Sequence, residues 1–187
     1  MVSLPKVYLA GPEVFLPNAV EYAHWQVALC RQYGFIGLHP MDNNIAIVDK
    51  SLATAMKIYR GDVCQIKECD IVVANCNQFR GGLMDDGTAY ELGYGNALGK
   101  PSYGYIEDAL SYNERIRKYE EGHGGVSPGI DRDQNGYILT EDFTLINPMM
   151  QCGMSAHGGR LIVGSFEDCL KAIRHDVDCG SLFPPFK

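Results

Sequence analysis

The chain has 187 residues, 46% of them hydrophobic, enough apolar matter for one domain with a full core and too little for two. Its net charge of −7 argues against a nucleic-acid backbone or an anionic membrane as the main partner, and leaves nucleosides and other small molecules open. The seven cysteines are odd in number and form no C-x-x-C pair, so they read as reduced core residues of a cytoplasmic protein, neither a disulfide frame nor a zinc site. In chain order, the β-rich run 6–11 (KVYLAG) comes first, stopped by Gly-Pro, and neither a secretory leader nor a spanning segment is expected. Segment 18–34 carries a helical apolar stripe, with Asn18 as N-cap, Gly34 as terminator, and Tyr22 and Trp25 expected in the core. FIGLHP (35–40) reads as a second strand, and 50–70 as a helix interrupted near Gly61. The continuous apolar run IVVANC (71–76) is a strand of the kind buried on both faces. A helix opens near Asp85, PSYGYI (101–106) supplies a fourth strand, and RLIVG (160–164) followed by SFEDCLKAIRHD (165–176) supplies a fifth strand and a helix capped by Ser165.

This alternation predicts one domain over 1–187, a doubly wound five-stranded parallel sheet in a three-layer α/β/α sandwich. Residues 108–148 are the irregular part, a charged helix (113–121) and then Gly, Pro and Asp in quantity, an excursion or lid; FTLINPMM (143–150) shows no helical period. Ligands of such sheets bind outside the carboxyl ends of the strands, which singles out the loops 11–17, 39–44 and the approach to 85–91.

The last of these, MDDGTAYELGYGNALGKP (84–101), places Glu91 in the second turn of a helix otherwise almost free of charge. Asp85 or Asp86 is explained by capping, worth about 1 kcal/mol. For Glu91 two readings stand: a structural glutamate, although no Lys or Arg lies at helical spacing to pair with it, or a carboxylate held ionised by the helix N-terminus and turned to the strand ends as nucleophile or base.

Taken with YLAGPEVF (8–15) and NPM (147–149), the run DDGTAYELGYGNALGKP resembles the nucleoside 2-deoxyribosyltransferase family, whose pattern is an aromatic strand with A-G-P-x-x-F, then D-x-G-T-A-x-E-x-G-Y-A, then N-x-M. The resemblance implies a flavodoxin-like fold and transfer of 2-deoxyribose from a deoxynucleoside donor to a free nucleobase acceptor by double displacement. On it Glu91 is the nucleophile at C1′, Tyr8 fixes its rotamer, and Asp62 handles the proton of the leaving base. Gly11, Pro12 and Phe15 form the loop against the base, with Phe15 stacking, and the MDNN turn, Asp42 to Asn44, supplies polar contacts to the base edge unless it is a simple Asx turn. Asp85, Gly87 and Thr88 meet the sugar; two carboxylates at this turn would repel a phosphate and accept a free 5′-hydroxyl. Asn147 and Met149 reach a neighbouring subunit's site, which makes a homodimer or higher oligomer necessary, and the usual N-L-M here carries Pro148. No metal and no organic cofactor is implied.

One motif stands apart. DRDQNGYILTED (131–142) fits the first, third, fifth and sixth positions of a calcium loop through Asp131, Asp133, Asn135 and Gly136, but ends in Asp142 where a bidentate Glu belongs and lacks flanking helices. It reads as a solvated turn. Two alternatives to a transferase remain: an N-glycosidase hydrolysing deoxynucleosides or their 5′-monophosphates on the same Glu91, and a noncatalytic nucleoside- or calcium-binding module.

Overall fold

The computed structural model describes residues 3–43, 45, 49–126, 129, 131–139 and 143–182. Five parallel strands, β1 (Lys6–Ala10), β2 (Ile36–Leu38), β3 (Ile71–Asn75), β4 (Ser102–Ile106) and β5 (Leu161–Val163), form one sheet in the order β2-β1-β3-β4-β5. The helices are α1 (Ala19–Gln32), α2 (Leu52–Glu68), α3 (Asp86–Ala97), α4 (Tyr112–Gly122), α5 (Pro148–Ala156) and α6 (Phe166–Asp178). This is the flavodoxin-like doubly wound sandwich expected, with its topological switch point between β1 and β3.

Strand alternation assigns each side chain to a layer. Val7 and Leu9 of β1 pack with Ile71 and Val73 of β3 against Leu29 and Cys30 of α1 and Leu170 and Ile173 of α6. Tyr8 and Ala10 face the other way, joining Val72, Ala74, Ile66 of α2, Leu92 of α3 and Met154 of α5. The two central strands are therefore apolar on both faces, which is why 71–76 reads as an uninterrupted hydrophobic run. The same alternation turns the Tyr8 hydroxyl toward the α2–α3 layer.

Four local expectations change. Helix α2 runs unbroken through Gly61; the glycine is there because a Cβ would lie 2.8 Å from the Asn43 amide nitrogen, so the loop after β2 can close onto the helix. Asn18 occupies the N-cap of α1 but its side chain makes no capping bond. Trp25 is 47% exposed, its ring lying 6.0 Å from Phe166 at the margin of the core. Residues 148–156 form a helix that the sequence pattern hides: Pro148 takes the first helical position, where its missing N–H costs nothing, and Asn147 Oδ1 accepts from Met149 N at 3.0 Å as N-cap. Ser165 and Ser111 both close full capping boxes, with Asp168 and Glu114. Cys30, Cys69, Cys76 and Cys169 are buried as expected, while Cys64, Cys152 and Cys179 are exposed, and all seven are free thiols. No described helix is long and apolar enough to cross a membrane.

Candidate active site

Asp85 caps α3, its Oδ2 accepting from Thr88 N at 2.8 Å and from the Thr88 hydroxyl at 2.9 Å. That cap fixes the helix start at the carboxyl end of β3, and the second turn then presents Glu91 to the back of β1. The Tyr8 hydroxyl donates to Glu91 Oε1 at 2.5 Å, a bond between residues 83 positions apart in the chain. From α2, Asp62 faces the same space; its Oδ1 accepts from Asn43 Nδ2 at 2.9 Å.

Burial dominates the electrostatics of this group. It pushes the Glu91 carboxyl up to about 8; the Tyr8 hydrogen bond opposes the rise, and the negative charges of Asp62, Asp85 and Glu13 add to it. Asp62 is raised to about 6, again by burial, against the Asn43 hydrogen bond. Tyr8 lies well above its ordinary value because it is buried and next to the Glu91 charge, so it stays a donor. Burial therefore works against the ionised form of Glu91 that proximity to the helix N-terminus favours. Two carboxyls that share one small space, with a phenol that stays protonated beside them, can hold, give and accept protons in the neutral range.

Among the other expected residues, Pro12 opens a 3-10 turn, Pro12–Phe15, directly after β1, and Phe15 is 55% exposed at its end. Gly11 has no room for a side chain, since a Cβ would sit 1.8 Å from Glu13 Oε2. Asp42 Oδ2 accepts from His39 N at 2.9 Å, so that carboxylate oxygen closes its own turn, and Asn44 lies outside the described residues. Thr88 is 1% exposed beneath the Asp85 cap, and Asp85 Oδ1 accepts no hydrogen bond from a described residue. The Gly87 N–H is taken by Asp86 Oδ1 at 2.9 Å. Met149 is 83% exposed. A cavity of about 220 Å³ lies behind α3, among Met84, Asp86, Tyr112, Arg115, Asn147 and Met150; Tyr8, Asp62 and Glu91 do not line it.

The calcium-like loop folds as a turn. Asp133 Oδ1 accepts from Asn135 N and Tyr137 N, both at 2.9 Å, and the Tyr137 carbonyl, which a calcium loop would turn to the ion, accepts from Asp133 N instead. Asp142 lies outside the described residues.

Two features escaped the sequence. Glu13 is 7% exposed at the strand ends, where its Oε1 accepts from the Tyr105 hydroxyl at 2.7 Å and Asn75 Nδ2 at 2.8 Å, with Gln26 Nε2 at a marginal 3.5 Å. Asn75 Oδ1 in turn accepts from Asn77 N at 3.0 Å, and Asn77 Oδ1 from Glu107 N at 2.9 Å, so one polar chain ties together the loops after β1, β3 and β4. The second is a cluster of Phe15, Phe79 and Arg80 over the same end of the sheet. Neither has a sequence signal beyond the adjacency of Phe79 and Arg80.

Comparison with known proteins sets this geometry in a lineage. Residues 7–150 match the family described as nucleoside 2-deoxyribosyltransferase. An uncharacterised protein of Schizosaccharomyces pombe is 33% identical over 172 residues, covering 86% of this chain and 82% of its own. Among solved structures, a 2-desoxiribosyltransferase from Leishmania mexicana is 27% identical with a TM-score of 0.64, covering 91% of this chain and 97% of that one. A conserved protein of Enterococcus faecalis V583, 24% identical with a TM-score of 0.61 over 92% of this chain and 98% of its own, shares the fold. The matched span holds Tyr8, Asp62, Asp85 and Glu91, and the chain belongs to the nucleoside 2-deoxyribosyltransferase family.

Proposed function

We propose that the protein transfers 2-deoxyribose between nucleobases through a covalent ester on Glu91. The observation that carries this reading is the 2.5 Å bond from the Tyr8 hydroxyl to Glu91 Oε1, which holds one carboxylate oxygen and leaves Oε2 for attack. In the first half-reaction Glu91 Oε2 bonds to C1′ of the deoxynucleoside as the C1′–N bond breaks; the electron pair leaves with the base, and Asp62 supplies the proton that neutralises it. In the second half a new base attacks C1′, Asp62 takes the proton released from its nitrogen, and Glu91 departs as a carboxylate. Two inversions retain the β-anomer.

Asp85 Oδ1 accepts the 5′-hydroxyl in this scheme, with Gly87 and Thr88 forming the turn beneath it. A carboxylate at that place disfavours a 5′-phosphate by like-charge repulsion. Phe15 stacks on the base, seated by Gly11 and Pro12, while Asp42 and Asn44 belong to the loop facing its edge. Asn147 and Met149 serve the site of a second copy. Support for an oligomer comes from the surface: α3 leaves Tyr90 and Leu98 exposed at 52% and 46%, and Leu52, Met56 and Tyr59 line the exposed side of α2. Free thiols suit a reducing, cytoplasmic compartment, and base exchange suits salvage of nucleobases.

The test is to incubate the protein with deoxyinosine and adenine and to follow deoxyadenosine, hypoxanthine and free deoxyribose by chromatography, beside Glu91→Ala. Deoxyadenosine formed only with the intact glutamate supports the proposal. Free deoxyribose without exchange assigns a hydrolase, and binding without turnover of either kind assigns a binding module.

A further inference from the structure

Arg80 is the only described residue other than glycine with a positive φ, at 43°. A side chain in that conformation is uncommon and strained, and such strain collects at functional sites. The loop offers glycines at 81 and 82, yet the strained position carries an arginine. Loop closure fixes it: Phe79 N donates to the Leu83 carbonyl at 2.9 Å and Gln78 Nε2 to the Gly82 carbonyl at 3.2 Å, which puts Arg80 at the tip of a tight turn.

The side chain is fixed as well. Its guanidinium carbon lies 4.7 Å from the ring centroids of both Phe15 and Phe79, and the two rings stack on each other at 5.3 Å and 20°. Cation–π contact anchors the guanidinium against the two rings and uses none of its N–H donors. No hydrogen bond or ion pair to a described residue uses the guanidinium, and Arg80 is exposed. The cluster spans the loops after β1 and β3, the two strands at the switch point.

We infer that Arg80 is the specificity-determining residue of the base subsite and selects nucleobases that present an oxo group beside a ring-nitrogen acceptor, 6-oxopurines above 6-aminopurines. The inference rests on the proposed function for the identity of the ligand and on this cluster for the discrimination. A guanidinium fork donates two parallel bonds to O6 and N7 of a 6-oxopurine, whereas adenine turns an amino donor toward it where the oxygen would be. Phe15 supplies the stacking face, which every base can use, so selection falls to the arginine edge.

The experiment measures equilibrium binding of hypoxanthine and of adenine by calorimetry to the wild-type protein, Arg80→Met and Arg80→Lys, with exchange rates for both acceptors in parallel. Methionine keeps an apolar stem over the two rings, and lysine keeps the charge without the fork. We expect wild type to prefer hypoxanthine, Arg80→Met to lose about 10–100-fold for hypoxanthine and less than about threefold for adenine, and Arg80→Lys to fall between. Equal losses for both bases, no loss for either, or a wild-type preference for adenine would overturn it. Selective base binding without exchange would sustain the role of Arg80 and reject the transferase reading, while exchange that ignores the Arg80 substitutions would do the reverse. Binding of neither base by the wild type overturns both.

Discussion

Glu91 and Asp62 differ in environment enough to titrate apart, at about 8 and about 6. On the proposed mechanism attack needs Glu91 ionised and departure of the base needs Asp62 protonated, so the productive pair is a minority form at neutral pH. The pH profile of kcat/KM is then expected to rise to a break near 6, hold level, and fall above a break near 8. Asp62→Asn removes one titration and also the negative charge that helps raise Glu91: its lower activity should climb to a break below 8 and stay level beyond, and a persisting alkaline fall would assign that limb to another group. The same shift bears on stability. Because the folded protein holds the Glu91 proton more tightly than the unfolded chain, this residue costs nothing below its ordinary value of 4.5, an increasing amount from there to about 8, and a constant amount above. Glu91→Gln should therefore be inactive yet more stable at pH 8 by about 1–3 kcal/mol, or roughly 2–4 °C of Tm per kcal/mol, with the gain vanishing near pH 4. Thermal scans at the two pH values check it. At this scale the sequence shows Glu91 because an unpaired acid in an uncharged helix is conspicuous. It does not show the shift, which comes from burial that only the packed α2–α3 layer creates.

Between residue and fold stand the turns that hold the site. Glu13 draws the 3-10 turn after β1 onto the ends of β3 and β4 through Asn75 and Tyr105. Glu13→Ala would leave a buried hydroxyl and amide without an acceptor, at about 1–3 kcal/mol for each unsatisfied group, and urea unfolding should show a loss of about 2–4 kcal/mol. A loss below 0.5 kcal/mol would show that water replaces the carboxylate and that the network does not set the loop. A lone glutamate two residues after Gly11 gives no pattern in the sequence, since its partners are 62 and 92 positions away. The strands were legible for the opposite reason: burial on both faces writes a continuous apolar run into β3 and a nearly continuous one into β1. Helix α5 stayed hidden because it is short and starts at a proline, a residue that breaks a helix anywhere but in its first turn. Gly61 misled in the reverse direction, marking a close approach to Asn43 inside a helix that continues through it.

The whole molecule joins a legible fold to a site that, on the proposed function, a second copy completes. Strand alternation and helix signals carry the three-layer order, while the switch point between β1 and β3 comes from the sheet itself; periodicity does not show that Tyr90 of α3 and Leu98 just after it face outward. If Asn147 and Met149 complete a neighbour's site, Glu91→Ala and Asn147→Ala are each inactive alone, and unfolding and refolding them together restores roughly a quarter of the sites in a dimer. Absence of any recovery, with mixed oligomers shown to form, would confine each site to one chain. The most direct measurement takes the intact protein with deoxyinosine and no acceptor, quenches in acid within the first turnover, and maps the mass of the peptide bearing Glu91. An added deoxyribosyl group on Glu91, discharged when adenine is supplied before the quench, is the predicted result. An unmodified Glu91 during productive turnover, or the sugar carried on another residue, would contradict the account.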